Sequence, residues 1–185
     1  PDKRKGIWSL WESARQTWSA HLTDIALEGL SEKDAQQLLF HLVPEVDWPT
    51  GMADLLLGRA EGNPLFLEEV LRALMHDGVL QRLESGRWQV AEAGQTLAVP
   101  DTLEGVLQAR LDRLSEPNRW TVQVASVIGR YFPYDVLHHA EVEQPEVALR
   151  GRLETLGQME MIHAMQQKPE ELFGFRHTLL HEVSY

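Results

Sequence analysis

The most informative stretch of this sequence is residues 61–69, which read Glu61-Gly62-Asn63-Pro64-Leu65-Phe66-Leu67-Glu68-Glu69. Asn63 is a favourable helix N-cap, because its side-chain oxygen can accept a hydrogen bond from an unpaired N–H of the first turn. Pro64 suits the first helical position, where its missing N–H costs nothing. Gly62 leaves the backbone before the cap uncovered, so another group can approach it closely. The stretch predicts a helix start, which is either an ordinary junction between packed helices or a resting place for an anion or a nucleotide ring.

Apolar residues recur at helical spacing on both sides of this start. They predict three short helices in succession, over residues 31–43, 52–60 and 64–76. Ser31 is placed to cap the first helix, and Gly78 is placed to end the third in a left-handed turn. A β-hairpin with Gly86 in its loop follows, with strands over residues 79–83 and 87–90.

The second half of the chain predicts a different order of elements. Asp101 and Glu104 form a D-x-x-E variant of the capping box, which opens a helix to Leu114. Three helices and two short strands follow, over residues 115–129, 133–140, 145–156, 159–165 and 172–176, and Thr178 opens one more helix. Three helices followed by a β-ribbon is the order of a winged helix. We therefore predict a mainly α fold in which a helical subdomain precedes a winged-helix subdomain with short β-hairpins.

The beginning of the chain is rich in tryptophan. Trp8, Trp11 and Trp18 fall at a spacing that predicts a helix over residues 1–20 whose apolar stripe docks on a partner. Residues 21–27 alternate loosely and predict a short strand. The chain begins at Pro1 and stops inside the last predicted helix, so we expect it to be a piece of a larger protein.

Composition and charge restrict the classes of function. Against 28 acidic residues stand 17 Lys and Arg, and the net charge of −11 opposes non-specific binding to nucleic acid or anionic membranes. No run of eighteen apolar residues and no signal peptide occur, so we expect no membrane partner. The absence of cysteine removes disulfides and thiolate metal sites. These features favour a soluble cytoplasmic protein.

Signatures of phosphoryl-transfer chemistry are missing from the sequence. No G-x-x-x-x-G-K-[ST] phosphate loop occurs, nor does a strand that ends in paired acidic residues. His177 and His181 have the i, i+4 spacing of a metal pair, but no acidic third ligand is fixed beside them. We therefore expect neither catalysis nor a metal site in this part of the protein.

Several segments together resemble a known family. Residues 60–69, 99–103, 109–114, 125–132 and 175–185 resemble, in the same order, motifs of the STAND-type signalling ATPases. These AAA-like modules accompany class III adenylate or guanylate cyclases, LuxR-type regulators and tetratricopeptide (TPR) arrays. The resemblance covers about residues 22–185 and includes the closing F-x-H-x-L-x-x-E-x-x-Y pattern.

The resemblance implies a division of the chain and a function. Residues 22–96 would be the helical lid subdomain, residues 97–185 a linker helix and the winged helix, and residues 1–21 the end of a missing nucleotide-binding domain. The expected function is nucleotide-state sensing and conformational relay within a larger regulatory protein of the STAND type. That parent protein would hydrolyse ATP or be linked to a nucleotide cyclase. The expected partners are that N-terminal domain and a C-terminal effector or repeat domain.

The resemblance also implies site residues. Gly62, Asn63 and Pro64 would lie against the adenine and ribose of a bound nucleotide, and His177 would contact the β-phosphate of ADP. ATP or ADP is expected only in the full-length parent, with none bound tightly to this part alone. For His177, a purely structural role is the alternative interpretation.

Two other functions remain open from the sequence. The predicted winged helix favours a DNA-binding regulator, and Arg130, Arg150 and Arg152 are its candidate phosphate contacts, although many glutamates lie in the same region. The N-terminal tryptophans favour a helical scaffold that binds protein partners. We expect the winged helix to be a packing and hinge element rather than to bind nucleic acid, because its region carries many glutamates and the chain is acidic.

Overall fold

A computed structural model describes residues 3–18, 21–23, 25–91, 99–141, 145–166 and 170–185. The described part is mainly helical and carries two small three-stranded sheets, so the predicted fold class is confirmed at that level. Its helices are α1 (Lys3–Thr17), α2 (Glu32–Leu42), α3 (Met52–Ala60), α4 (Pro64–His76), α5 (Leu103–Asp112), α6 (Glu116–Ile128), α7 (Tyr134–Ala140), α8 (Glu146–Gln158) and α9 (Thr178–Ser184). Its strands are β1 (Val46–Asp47), β2 (Leu80–Arg82), β3 (Trp88–Val90), β4 (Tyr131–Pro133), β5 (Ile162–Gln166) and β6 (Leu172–Phe175).

The helix predictions for residues 31–76 are confirmed by α2, α3 and α4. Ser31 caps α2, where its hydroxyl oxygen accepts a hydrogen bond from the Asp34 N–H at 3.2 Å. Gly78 has a φ of +68° and ends α4, and the Val79 N–H behind it donates to the Leu74 carbonyl at 2.9 Å. This 6→1 hydrogen bond is the closing contact of a left-handed helix terminus.

The start of the second half differs from prediction in its cap. Thr102, rather than Asp101, caps α5, because its hydroxyl oxygen accepts the Gly105 N–H at 3.1 Å. The Asp101 carboxylate instead pairs with Arg59 at 2.9 Å. The prediction of a D-x-x-E capping box was therefore wrong by one residue, because the hydroxyl of the neighbouring Thr102 accepts the hydrogen bond from the first turn.

Two short strands were missed and one predicted strand is absent. Residues 21–23 and 25–27 are not in a strand, so that prediction was wrong. Ile25 and Leu27 are 75% and 92% exposed, so the alternating apolar residues of this segment do not pack against the core. The strands β1 and β4, which the sequence did not predict, each complete a sheet by pairing with a partner remote in sequence.

Each sheet consists of an antiparallel hairpin and a third strand from elsewhere in the chain. In the first, β3 pairs antiparallel with β2 and parallel with β1, so the predicted hairpin gains an edge strand. In the second, β6 lies between β4 and β5 and pairs antiparallel with both. The predicted strand pair at residues 159–165 and 172–176 is therefore present within a three-stranded sheet.

Two hydrophobic clusters form the core. One is built from α2, α3, α4 and the first sheet, and the other from α6 to α9 and the second sheet. Helix α5 joins them, because Val106 lies in the first cluster, Leu107 in the second, and Leu103 packs against both. Val99 also packs in the first cluster, on the far side of the predicted boundary at residue 96. That boundary stays a prediction, and α5 is the element that both clusters share.

Candidate functional site

The start of α4 has the local geometry that the sequence predicts. The Asn63 Oδ1 atom accepts a hydrogen bond from the Leu65 N–H at 3.0 Å, and Pro64 occupies the first turn. Both residues are exposed. The helix N-terminus is thus capped by its own side chain and accessible at the surface.

The backbone of the chain itself explains why position 62 is a glycine. Its φ is +77°, and a Cβ atom there would lie 2.5 Å from the Leu30 carbonyl oxygen. The Leu30 N–H donates to the Gly62 carbonyl at 2.8 Å. The close approach that the sequence predicts for Gly62 is therefore made, on this side, by the backbone at Leu30.

A hollow of about 450 Å³ lies next to Gly62. Its volume falls within the roughly 300–1,000 Å³ usual for small-molecule sites. Three carboxylates line it, from Glu32, Asp54 and Glu61. Carboxylate oxygens accept hydrogen bonds from hydroxyl and amino groups and repel phosphates. The hollow is therefore chemically suited to a sugar or a base rather than to a phosphate.

His177 lies at the N-cap of α9 and faces α4. The residue is half-buried, and this burial lowers the pKa of its imidazole below the ordinary value. Glu69 and Glu68 of α4 act to raise that pKa, whereas Arg176 and Arg72 act to lower it. The imidazole is therefore neutral at physiological pH and retains one N–H donor.

The electrostatic neighbours of His177 locate it along α4. Glu68 and Arg72 stand four and eight residues beyond Pro64, or about 6 and 12 Å along the helix axis. His177 thus lies beside the helix that begins at Asn63 and Pro64. His177 therefore lies near the Glu68–Arg72 part of α4, whereas Gly62, Asn63 and Pro64 lie at the start of that helix.

A buried ion cluster beside His177 was missed by sequence reasoning. The Glu69 side chain is 0% exposed, and its two oxygens bind Arg72, at 2.6 Å, and Arg110 of α5. The sequence contained a signal for this cluster. Glu69 falls among the apolar positions of α4, and Arg110 falls among those of α5. Opposite charges on the apolar faces of neighbouring helices indicate a buried pair.

The same arginines reach the turn between α8 and β5. The Arg72 Nη2 donates to Glu160 at 2.5 Å, and the Arg110 Nη2 donates to the Met159 carbonyl. Both contacts link the first hydrophobic cluster to an element of the second. We call Glu69, Arg72, Arg110, Met159 and Glu160 the junction cluster.

Two other histidines, His138 and His181, make local contacts. The His181 Nε2 atom lies 3.0 Å from the Ser126 carbonyl oxygen, and its ring packs edge-on against Phe175. His138 stacks on Tyr134. Within the described ranges, no three His, Asp or Glu side chains are grouped as metal ligands.

The three candidate DNA-contacting arginines contact other side chains of the protein. Arg130 lies over the Tyr131 ring at 5.3 Å. Arg150 binds Glu146 and Glu171, each at 3.0 Å, and lies over the Tyr134 ring at 4.2 Å. Arg152 pairs with the buried Glu141. These contacts hold both guanidinium groups against carboxylates.

Comparison of the chain with models of known protein families, and with curated protein sequences, finds no match. None of the helices in the described ranges has the length and hydrophobicity needed to cross a bilayer.

Proposed function

We propose that this chain is the sensing and relay part of a cytoplasmic regulatory ATPase of the STAND type. In this proposal, ADP bound by a nucleotide-binding domain elsewhere in the protein contacts Gly62, Asn63 and Pro64 with its base and ribose. His177 donates a hydrogen bond to its β-phosphate. Exchange of ADP for ATP removes that contact and passes a conformational change to an effector.

The observation that carries the proposal is the position of His177 beside α4. A residue near the end of the chain lies within electrostatic range of Glu68, Glu69 and Arg72, which belong to the helix that begins at Asn63 and Pro64. The carboxylate-lined hollow beside Gly62 favours the sugar and base end of a nucleotide. A neutral imidazole can donate one hydrogen bond to a phosphate oxygen, and the phosphate would then favour its protonation.

The relay requires two states whose contacts with the nucleotide differ. In the state described here, the junction cluster ties α4 and α5 to the turn after α8. A ligand that touches both α4 and His177 stabilises this arrangement by its differential affinity for it. Release of the nucleotide then leaves the junction cluster as a polar link between the two hydrophobic clusters.

The order of α6, α7, α8, β5 and β6 supports a winged helix, with β4 as its third strand. A DNA-binding role is disfavoured, because Arg150 and Arg152 are paired with carboxylates and the chain is acidic. The winged helix is therefore proposed as a packing and sensing element.

The scaffold alternative is favoured by one observation, the exposure of Trp8 and Trp18 near the start of the described chain. Within the present proposal, these side chains pack on the nucleotide-binding domain. A stable complex with another protein that forms without nucleotide would favour the scaffold function instead.

The test is calorimetric titration of ADP into the natural protein, extended upstream to include its nucleotide-binding domain. His177→Ala is expected to weaken ADP binding by about tenfold or more, which corresponds to about 1.4 kcal/mol. His41→Ala is the matched control, because His41 is exposed at the end of α2, away from the predicted contacts.

Three outcomes separate the interpretations. A selective loss in His177→Ala supports the sensor. Equal affinity in His177→Ala and His41→Ala assigns His177 a structural role. Absence of nucleotide binding in the extended protein rejects the family assignment.

A further inference from the structure

A second cavity lies at the junction cluster, apart from the hollow beside Gly62. Its volume is about 230 Å³, and it lies between α4, α5 and the turn from α8 to β5. The side chains that matter for its chemistry are Arg72, His76, Arg110, Arg113, Met159 and Glu160. Three guanidinium groups and one imidazole thus converge on one small space.

Two of these guanidinium groups are fixed from behind. The buried Glu69 carboxylate binds Arg72 through one oxygen and Arg110 through the other. Because Glu69 is wholly buried, it is an anchor that solvent does not compete for. Arg72 and Arg110 are therefore held in place before any ligand arrives, which lowers the entropy that binding would cost.

Two carboxylates pair with side chains of the cavity wall, and they set what a ligand must replace. Glu160 lies on the wall and pairs with Arg72, with 46% of its side chain exposed. Asp77 pairs with Arg113 at 2.6 Å and lies 3.4 Å from the His76 Nδ1, with 26% of its side chain exposed. Unlike Glu69, these two acids are partly solvated, so solvent screens their ion pairs more than it screens those of Glu69. A ligand therefore displaces either of them at a lower cost than it would displace Glu69.

The guanidinium groups carry more donors than the protein uses. Each has five N–H groups in a planar fork. Hydrogen bonds within the described part of the chain use two donors of Arg72, two of Arg110 and one of Arg113. The remaining donors suit a ligand with several acceptor oxygens, because planar guanidinium forks bind carboxylate and phosphate oxygens in pairs.

We propose that this cavity binds a small oxyanion, which is a carboxylate or phosphate group, held by Arg113 together with Arg72 and Arg110. The cavity is smaller than the roughly 300 Å³ at the lower end for drug-sized ligands, which favours a compact anion over a whole nucleotide. The anion replaces Asp77 at Arg113 and bridges α4 and α5 to the turn at Met159. Its binding stabilises the junction between the two hydrophobic clusters.

The proposal does not rest on the nucleotide-sensing function, since the cavity is formed by this chain alone. It is tested on the 185-residue chain by calorimetric titration with inorganic phosphate and, separately, with malonate, at constant ionic strength set with chloride. Saturable binding of one anion per chain, with a Kd below about 1 mM, is expected. The same anion raises the midpoint of thermal unfolding, because it binds the folded state.

Two variants and a control localise the binding. Arg113→Gln is expected to weaken it at least tenfold, and its side chain is 32% exposed, so the fold tolerates the change. Asp77→Asn removes the competing carboxylate and is expected to strengthen binding, which a purely structural role of Asp77 does not predict. Arg87→Gln is the control, because it removes the same charge from a more exposed pair, with Asp47 at 3.4 Å, in the first sheet.

The outcomes are decisive in both directions. Binding of phosphate alone, or of malonate alone, supports the site and identifies the class of anion. Failure of both anions to saturate, or equal weakening by Arg113→Gln and Arg87→Gln, overturns the proposal. Neither result affects the ADP titration of the extended protein, which probes different residues.

Discussion

Neutralising the buried carboxylate of Glu69 should destabilise this protein more than any neighbouring change in charge. In Glu69→Gln, the amide oxygen can still accept a hydrogen bond from one arginine, but the amide N–H₂ then faces the other guanidinium, donor against donor. The Arg110 side chain, which is only 10% exposed, loses its carboxylate partner. Removal of one partner of a buried ion pair costs about 3–5 kcal/mol.

The expected loss is large enough to measure directly. A chain of this length loses about 2–4 °C in Tm per kcal/mol, so Glu69→Gln should lower the Tm by about 6–20 °C. Urea denaturation followed by circular dichroism gives the corresponding change in the free energy of unfolding. Glu68→Gln is the matched control, one residue away on the same helix and half-buried.

A double substitution separates the charge from the packing. Glu69→Leu combined with Arg110→Met replaces the pair by apolar side chains and leaves Arg72 with Glu160. Such replacements of buried pairs are often neutral or stabilising, so the double variant should recover most of the stability lost in Glu69→Gln. If Glu69→Gln lies within about 0.5 kcal/mol of Glu68→Gln, the carboxylate is solvated and the junction cluster does not hold the two hydrophobic clusters together.

Three further predictions concern single residues. Gly62→Ala should lower the free energy of unfolding by about 1–3 kcal/mol, because the residue has a positive φ and the new Cβ would meet the Leu30 carbonyl; an unchanged denaturation midpoint would contradict that packing. Burial lowers the pKa of His177 in the folded state, so its contribution to stability is present above the unfolded pKa of about 6.5 and is lost as the pH falls through the folded pKa. An NMR titration of the imidazole should therefore give a pKa below that of a model peptide, and a value above it would show that Glu68 and Glu69 outweigh the burial. Thr102→Ala should cost about 1 kcal/mol in urea denaturation, whereas Asp101→Asn should cost less, and the reverse order would restore Asp101 as the cap.

Local rules predicted most of the helices. Ser31, Asn63 and Gly78 act on backbone groups two to five residues away, so their effect is encoded within one short window of sequence. The same locality explains the error at α5. Asp101 and Thr102 are both good caps, and in the fold Thr102 caps the helix while the Asp101 carboxylate pairs with the distant Arg59.

Pairing between distant segments was not predictable in the same way. The strand β1 has two residues and no alternation that a periodicity test can detect. It forms because the hairpin of β2 and β3 offers it an edge more than forty residues later. Short strands of this kind depend on a partner, whereas a helix makes its hydrogen bonds within itself.

The sequence alone determined where α4 begins, the helical character of the chain and the candidate residues at Asn63, Pro64 and His177. Only the tertiary structure brought Glu69 to Arg110, 41 residues away, and Arg72 to Glu160, 88 residues away. The physical reason is that a cap or an apolar stripe acts through neighbours along the chain, whereas a buried charge is stable only once the whole fold supplies its partner. The same holds for Gly62, whose need for glycine is set by the backbone at Leu30, which packs against it across the fold.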